Sequence, residues 1–455
     1  MIAATAAGAG EASRAPGSEE PRECDRWSRE RLLAHQRDRL RGLLGHAVSA
    51  SPYYRDVLGA DALAPDVDLG GLPTLSKATL MEHFDRVVTD PRLRLEDVEA
   101  HAAGPDPGAL LLGEYHLFTT SGTTGRRGIF PQARQEFDAW VDVVRTVVDR
   151  LGGRGVRPVG IGAPTPLHIT QKLFAALGGF GGGRPRLTVT TPLAELVGAL
   201  NRDRPDQLFT VTSFAGLLAE EQLAGRLSIE PRSVVVSGEA VAEDVRRRIA
   251  DAWGVEPFEL YSSTEALVLA FESPDRVGLH VNEACVVLEV VDEHDRPVPA
   301  GMPGFKVLVT SLLGRTLPLI RYELADTVTM ARGRDPSGRP YLRIERVDGR
   351  NDDAFRLPAA VGGEVLVLPY RLRAPFATLP DVLEYQIVLE ERRLAVRVVL
   401  RPSASADAVS RVAEGIRHAL EEAGAVPLPI DVEPVARIER EPGGAKLKLV
   451  KVNRR

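Results

Sequence analysis

The sequence predicts an α/β protein with a large N-terminal part and a smaller α+β module at its end. Three observations carry this. Between positions 156 and 261, short β-branched runs alternate with helical stretches, which is the pattern of α/β units. From 284 to 346 the pattern turns to strands and turns, with 292–295 and 299–301 as hairpin signals. In the last hundred residues, an amphipathic run over 407–422 lies between two alternating segments, 394–400 and 430–435. At 455 residues the chain also exceeds the size at which one core keeps growing, so more than one domain is expected.

Each element has a local reason. Positions 1–21, rich in Ala, Gly, Ser and Glu, are expected to be a disordered tail. Leu32, Leu33, Leu40, Leu43, Leu44 and Val48 recur at helical spacing until Ser51-Pro52 breaks the pattern and a second helix starts. Thr74 or Ser76 is placed to cap a helix that begins near Lys77. Phe137, Val141, Val144, Val147 and Val148 predict a helix over 135–151. The β-branched runs are 156–161, 186–190, 208–212, 233–237 and 258–261; helices are expected over 169–177, 193–201 and 242–253. A boundary is expected after Gly349, dividing the chain into 22–349 and 350–455, and no internal repeat is found.

Composition narrows the function. Hydrophobic residues at 44% and charged residues at 26% are those of a water-soluble globular chain. With 57 basic and 63 acidic side chains the net charge is −6, which argues against a nucleic-acid coat or a basic membrane anchor. Two cysteines, Cys24 and Cys285, are too few for a disulfide framework or a four-cysteine zinc site, so a reducing cytoplasm is expected. The nine histidines show no metal-ligand spacing, and no apolar run approaches the roughly 20 residues that span a bilayer. Only six lysines stand against 51 arginines, and Lys446, Lys448 and Lys451 fall in the last ten residues. Arginine-rich coding explains the scarcity but not the cluster, which reads either as a functional group or as a basic solvated tail.

The segment Phe118-Thr-Thr-Ser-Gly-Thr-Thr-Gly-Arg-Arg-Gly128 has the composition of a polyphosphate cradle. Gly122, Gly125 and Gly128 permit close backbone approach, Thr120, Ser121, Thr123 and Thr124 supply hydroxyl donors, and Arg126 and Arg127 supply charge. Its spacing is not that of a Walker loop. The competing reading is a solvated Ser/Gly linker. Four more segments follow in order. Val234 to Glu239 ends a strand in Ser237-Gly238-Glu239, where ligands sit in open α/β sheets. Tyr261-Ser262-Ser263-Thr264-Glu265 ends the next strand with an aromatic face, hydroxyls and a carboxylate; Asp326 follows a strand-like run; and Gly349-Arg350-Asn351-Asp352-Asp353 stands at the junction.

Together with Glu441-Pro-Gly-Gly-Ala-Lys446, these motifs resemble the adenylate-forming superfamily of acyl-CoA synthetases and adenylation domains. The run from Arg39 through Ser51-Pro-Tyr-Tyr-Arg55, Leu279 to Glu283, Leu317 to Arg321 and Gly349 to Asp353 is similar to its phenylacetate-CoA ligase branch, over roughly 27–451. The resemblance implies a large N-terminal domain of stacked α/β sheets plus a small β-barrel-like part, and a mobile α+β C-terminal domain. It implies ATP and magnesium as cofactors, with a small carboxylic acid, aromatic in that branch, as substrate. CoA or an acyl carrier protein is the implied thiol partner, and a monomer or homodimer the implied assembly.

By the same resemblance, Thr120, Ser121, Gly122, Thr123, Thr124, Gly125 and Arg126 grip phosphates, and Thr264 contacts the α-phosphate. Glu265 holds Mg²⁺, a cation suited by one carboxylate plus phosphate oxygens. Tyr261 stacks on adenine beside Ser237, Gly238 and Glu239, with Ser262 and Ser263 lining the site. Asp326 takes the ribose hydroxyls, and Arg350 reaches the ribose or a phosphate. Lys446, or Lys448 as second candidate, bridges acid and α-phosphate, and Asp352 is the hinge. Pro166 to Gln171 with His168, Ser213-Phe214 and Gly238 line the acid pocket; for His168 the competing reading is a helix-start histidine satisfied by backbone.

Three departures stand out: Arg126 replaces the usual lysine, Ser262 the usual glycine, and 355–369 differs from the branch's continuation, which in the family helps form the thiol tunnel. Acyl transfer to a thiol is therefore one expectation. Adenylylation or amide formation without CoA is another, and a catalytically idle nucleotide-binding homologue is the third.

Overall fold

The computed structural model describes residues 23–64, 67–120, 127–152, 156–177, 186–351, 354–367, 369–379, 381–391, 393–438 and 449–452. The central layer is an eight-stranded mixed sheet in the order Asp326–Met330, Arg343–Arg350, Leu279–Val281, Leu267–Glu272, Phe258–Ser263, Ser233–Ser237, Gln207–Val211, Pro158–Gly160. The last four in that order run parallel to one another, and the remaining neighbours are antiparallel. Gln207–Val211 and Ser233–Ser237 are buried at every position because helices cover both faces, so their sequences are apolar without alternation.

Three apolar cores organise the chain. The largest gathers the long helix Arg29–Ala50, the helix Arg134–Gly152 and the strands Leu267–Glu272 and Val286–Val291. A second lies between the parallel strands and the helices Leu193–Asp203 and Thr212–Leu223. The third is built only from residues between Phe355 and Val450, around a four-stranded sheet and the helix Ala408–Glu422. The molecule is thus mixed α/β with a large N-terminal and a smaller C-terminal part. The strand Arg343–Arg350 pairs Arg350 with Asp326, so the central sheet reaches one residue past the boundary expected at 349.

Most expected elements form where the pattern places them. Ser51 caps Pro52–Leu58 by accepting from Tyr54 N–H, and Ser76 caps Lys77–Glu82 by accepting from Thr79 N–H. One reading is corrected, and one element that the pattern did not signal is found. The run 186–190 is not a strand: Thr188 makes one isolated bridge to Gly162, and the hydroxyls of Thr188, Thr190 and Thr191 bond one another in a turn. The segment after Thr212, which has no single apolar stripe, is the helix Thr212–Leu223; buried on nearly all sides, it shows no amphipathic period.

Candidate active site

A hairpin carries the glycine-rich loop. Strands Tyr115–Thr119 and Ile129–Ala133 pair antiparallel with Thr119 opposite Ile129, and Thr120 N–H donates to the Gly128 carbonyl at 3.0 Å to close the base. Residues 121–126, which include Ser121, Gly122, Thr123, Thr124, Gly125 and Arg126, lie outside the described residues, as do Asp352, Lys446 and Lys448. At the base the Thr120 hydroxyl is buried with no hydrogen-bond partner among the described residues, a costly state that a ligand oxygen would relieve. A β-carbon on Gly128 would lie 2.8 Å from the Phe130 ring, 2.9 Å from Thr120 Oγ1 and 3.1 Å from Lys77 Cε. Glycine is therefore required, and the same packing brings Lys77 to the loop.

Lys77 is held there by its own segment. Leu75 N–H donates to the Arg321 carbonyl at 3.1 Å and Glu323 N–H to the Leu75 carbonyl at 3.0 Å, stitching residue 75 alongside Tyr322. The buried Tyr322 hydroxyl bonds Glu265, whose carboxyl is pushed above its ordinary value by burial. Arg350, Asp326 and Lys77 all act electrostatically on that carboxyl, the two cations opposing the shift and Asp326 adding to it. Thr264 adjoins Glu265 in the turn between Phe258–Ser263 and Leu267–Glu272.

The residues expected at the adenine lie at the carboxyl ends of neighbouring strands. Gly238 adopts φ +81, which turns the chain sharply after Ser233–Ser237. Ser237 Oγ lies 2.6 Å from Ser262 Oγ, and Ser263 Oγ accepts from Ala266 N–H at 3.1 Å. Glu239 accepts from Ser213 N–H at 2.7 Å and from Ser213 Oγ at 3.1 Å, which ties this turn to the start of the helix Thr212–Leu223. Tyr261 is buried, and its hydroxyl donates to Asp326 Oδ2 at 2.8 Å; burial first and Asp326 second hold the phenol in its protonated form. Tyr261 thus orients the carboxylate expected to take the ribose.

Among the residues expected to line the acid pocket, His168 is the N-cap of Ile169–Ala176: Nδ1 accepts from Thr170 N–H at 3.3 Å and meets Thr170 Oγ1 at 2.8 Å. Gln171 donates to the Ala163 carbonyl. Phe214 is 3% exposed and packs in the second core.

No family model matches the chain. The phenylacetate-coenzyme A ligase of Thermus thermophilus is 27% identical over 404 residues, covering 83% of each chain, and that of Escherichia coli is 26% identical over 402, covering 82% of this chain and 83% of its own. The crystal structure of a 2-hydroxyisobutyryl-CoA ligase holding 2-HIB-AMP in its postadenylation state superposes with a TM-score of 0.73 at 21% identity, over 98% of this chain and 95% of that one. The chain is thus similar in sequence to phenylacetate-CoA ligases and shares the fold of the adenylate-forming CoA ligases. It is an adenylate-forming carboxylic acid ligase.

Two residues of this ligase escaped the reading of its motifs. Lys77 was legible only through lysine scarcity, since just six lysines occur. Tyr322 follows the recognised Pro-Leu-Ile-Arg run, but nothing in that run signals contact with Glu265.

Proposed function

We propose that this ligase uses ATP to activate an aromatic carboxylic acid as its acyl-AMP and then passes the acyl group to the thiol of CoA. The observation that carries this is the convergence on Glu265 of Tyr322, Lys77 and Arg350 beside the buried Thr120 hydroxyl, unpartnered among the described residues, with Asp326 oriented by Tyr261. One wall offers cations and hydroxyls to a triphosphate, and the other offers a carboxylate to the ribose diol.

The acid's carboxylate oxygen attacks the α-phosphorus in line while pyrophosphate leaves, so the protein's task is to position groups and compensate charge. Thr120 and the loop after it hold the β/γ end, Lys77 neutralises charge near the loop base, and Arg350 does so between Glu265 and Asp326. Thr264 stands at the α-phosphate. Glu265, with its carboxyl beside two cations, fits a single protein ligand to Mg²⁺, which when bound screens phosphate charge. Lys446, carried by the C-terminal module 350–455, completes adenylation, and rotation about Asp352 then admits the thiol.

The test is acid-dependent exchange of pyrophosphate into ATP, screened over phenylacetate, benzoates and fatty acids, followed by thioester formation with CoA. Exchange stimulated by an aryl acid is expected. No exchange with any acid overturns the reading; exchange without CoA thioester favours amide or ester transfer.

A further inference from the structure

The C-terminal module rests on the large part through arginines. From the module, Arg373 in Pro369–Arg373 donates Nη2–H to the Ala240 carbonyl at 3.2 Å, directly after the Ser237-Gly238-Glu239 turn. Its charge faces the carboxylates of Glu239 and Asp244 and reaches Glu259 and Asp348. On its other side Arg373 Nε lies 3.5 Å from the Tyr385 hydroxyl, and the Tyr385 ring stacks on Phe376 at 3.6 Å inside the module. A β-carbon on Gly349 would lie 3.8 Å from Arg373 Nη1, so the guanidinium also abuts the last strand before the expected hinge.

A second contact flanks the first. Arg401 of the module donates to Glu220 Oε1 at 3.1 Å, and Arg248, 7% exposed, lies with Nε 2.8 Å from the same oxygen. Arg248 Nη1–H then reaches back to the module's Leu383 carbonyl at 3.3 Å. Asp244 faces both groups, 3.6 Å from Arg248. The elements gripped are the helices Thr212–Leu223 and Glu243–Trp253 and the turn between Ser237 and Ala240. Those are the elements that present Ser213, Glu239 and the adenine-side turn.

We propose that Arg373 is a positioning residue that fixes the C-terminal module against the Ser237–Ala240 turn, with Arg401–Glu220–Arg248 as its flanking clasp, so that the docked arrangement serves acyl-AMP formation and its release serves transfer. The part about half-reactions rests on the proposed function; the part about module position does not. A guanidinium here gives directional donors to a backbone carbonyl and charge to several carboxylates at once, whereas lysine offers a point charge of different reach. Because Arg373 acts through the turn, its loss is expected to change the balance of steps and leave the chemistry intact. The flanking Arg401–Glu220 pair is ionic and partly exposed, so salt weakens the docked state.

The test reads position and activity separately. Cys24 and Cys285 are buried, and Leu223 and Val361 are 49% and 95% exposed on opposite sides of the contact, so Leu223→Cys with Val361→Cys gives a selective dye pair. With ATP alone as probe, the parent is expected to give one dominant distance. Arg373→Met, which keeps the aliphatic stem, and separately Glu220→Gln, are expected to broaden or shift it, with Arg373→Lys intermediate and 0.5 M NaCl acting on the parent in the same direction. With phenylacetate as probe acid, Arg373→Met should lower pyrophosphate exchange about tenfold or more while transfer from supplied phenylacetyl-AMP to CoA stays within about twofold. Unchanged distances in both Arg373→Met and Glu220→Gln overturn the proposal, as do equal losses in the two half-reactions. If Arg373→Met does not fold, Glu220→Gln and the salt series decide alone. A distance response without exchange on any acid leaves the positioning role standing and removes the proposed function instead.

Discussion

Glu265 shows how one carboxyl can be both desolvated and ready for a cation: burial raises its pKa, while Arg350 and Lys77 oppose the rise. Removing the charge but keeping the shape separates these effects. Glu265→Gln is expected to reduce pyrophosphate exchange by about 100-fold, corresponding to about 3 kcal/mol of lost transition-state stabilisation, with thermal stability unchanged or raised. Steady-state exchange at varied Mg²⁺ measures the first and thermal unfolding the second; near-parent exchange would remove Glu265 from the site. Lys77→Met should act on ATP more than on the acid, raising KM for ATP severalfold because its side chain packs at the base of the glycine-rich loop proposed to hold the phosphates. An equal rise in both KM values would place Lys77 elsewhere. At this scale the sequence offered residue types, hydroxyls and glycines for phosphates and a carboxylate after a strand, of which Thr120, Gly128, Glu265 and Asp326 lie among the described residues. Lys77 and Tyr322 were not, because their contacts with the site arise from a pairing between residues 75 and 322 that no local pattern announces.

The helix Ile169–Ala176 reaches its place because two strand-end glycines let it. A β-carbon on Gly160 would lie 2.3 Å from the Phe174 ring, and one on Gly162 would lie 2.6 Å from Thr170 Oγ1. Gly160→Ala should therefore cost about 1–3 kcal/mol of stability and shift the helix that His168 caps. If His168 borders the acid pocket, KM for the acid rises more than KM for ATP in this variant, and a parallel rise in both excludes that placement. The strand Phe258–Ser263 carries a different signal. Burial, then the neighbouring Glu272, pushes the Glu259 carboxyl from 4.5 up to about 7, against the pull of Arg246 and Arg373. A folded state with the higher pKa holds more protons than the unfolded chain between those values, so this group's contribution to stability falls as pH rises from about 4.5 to 7 and then stays flat. Glu259→Gln, which mimics the protonated form, should raise stability by about 2 kcal/mol at pH 8 and by little at pH 4.5; a constant difference across pH in denaturant unfolding would contradict the buried-acid reading. Periodicity found the amphipathic helices and the alternating strands. It missed Thr212–Leu223, which is apolar on nearly every side, and misread 186–190, whose threonines bond one another across a turn.

At the scale of the whole molecule, the interface differs in kind from the cores. Residues between Phe355 and Val450 close an apolar core of their own, and among the described residues the hydrogen bonds between that module and the large part involve Arg373, Arg401, Arg248 and backbone carbonyls. An interface of charged groups costs little to expose to water, whereas cutting a shared apolar core would leave a large patch unfilled. The sequence supported this division through the Gly349 to Asp353 junction and the renewed α+β pattern, but the arginine contacts depend on which faces meet, and that is set by three-dimensional packing alone. A chain ending at Asn351 is therefore expected to fold and to bind ATP, since Thr120, Lys77, Tyr261, Glu265, Asp326 and Arg350 are all retained. Saturating ATP should raise its Tm by a few degrees, in line with a stabilisation of about 2.7 kcal/mol at a hundredfold excess over Kd. The same chain should show no acid-dependent pyrophosphate exchange, because Lys446 leaves with the module, and adding the separate module 352–455 should restore little of it, since the tether supplies the effective concentration that the weak interface lacks. Retained exchange in the shortened chain would take adenylation away from Lys446 and Lys448 alike; loss of ATP binding together with exchange would mean that the module helps to build the nucleotide site.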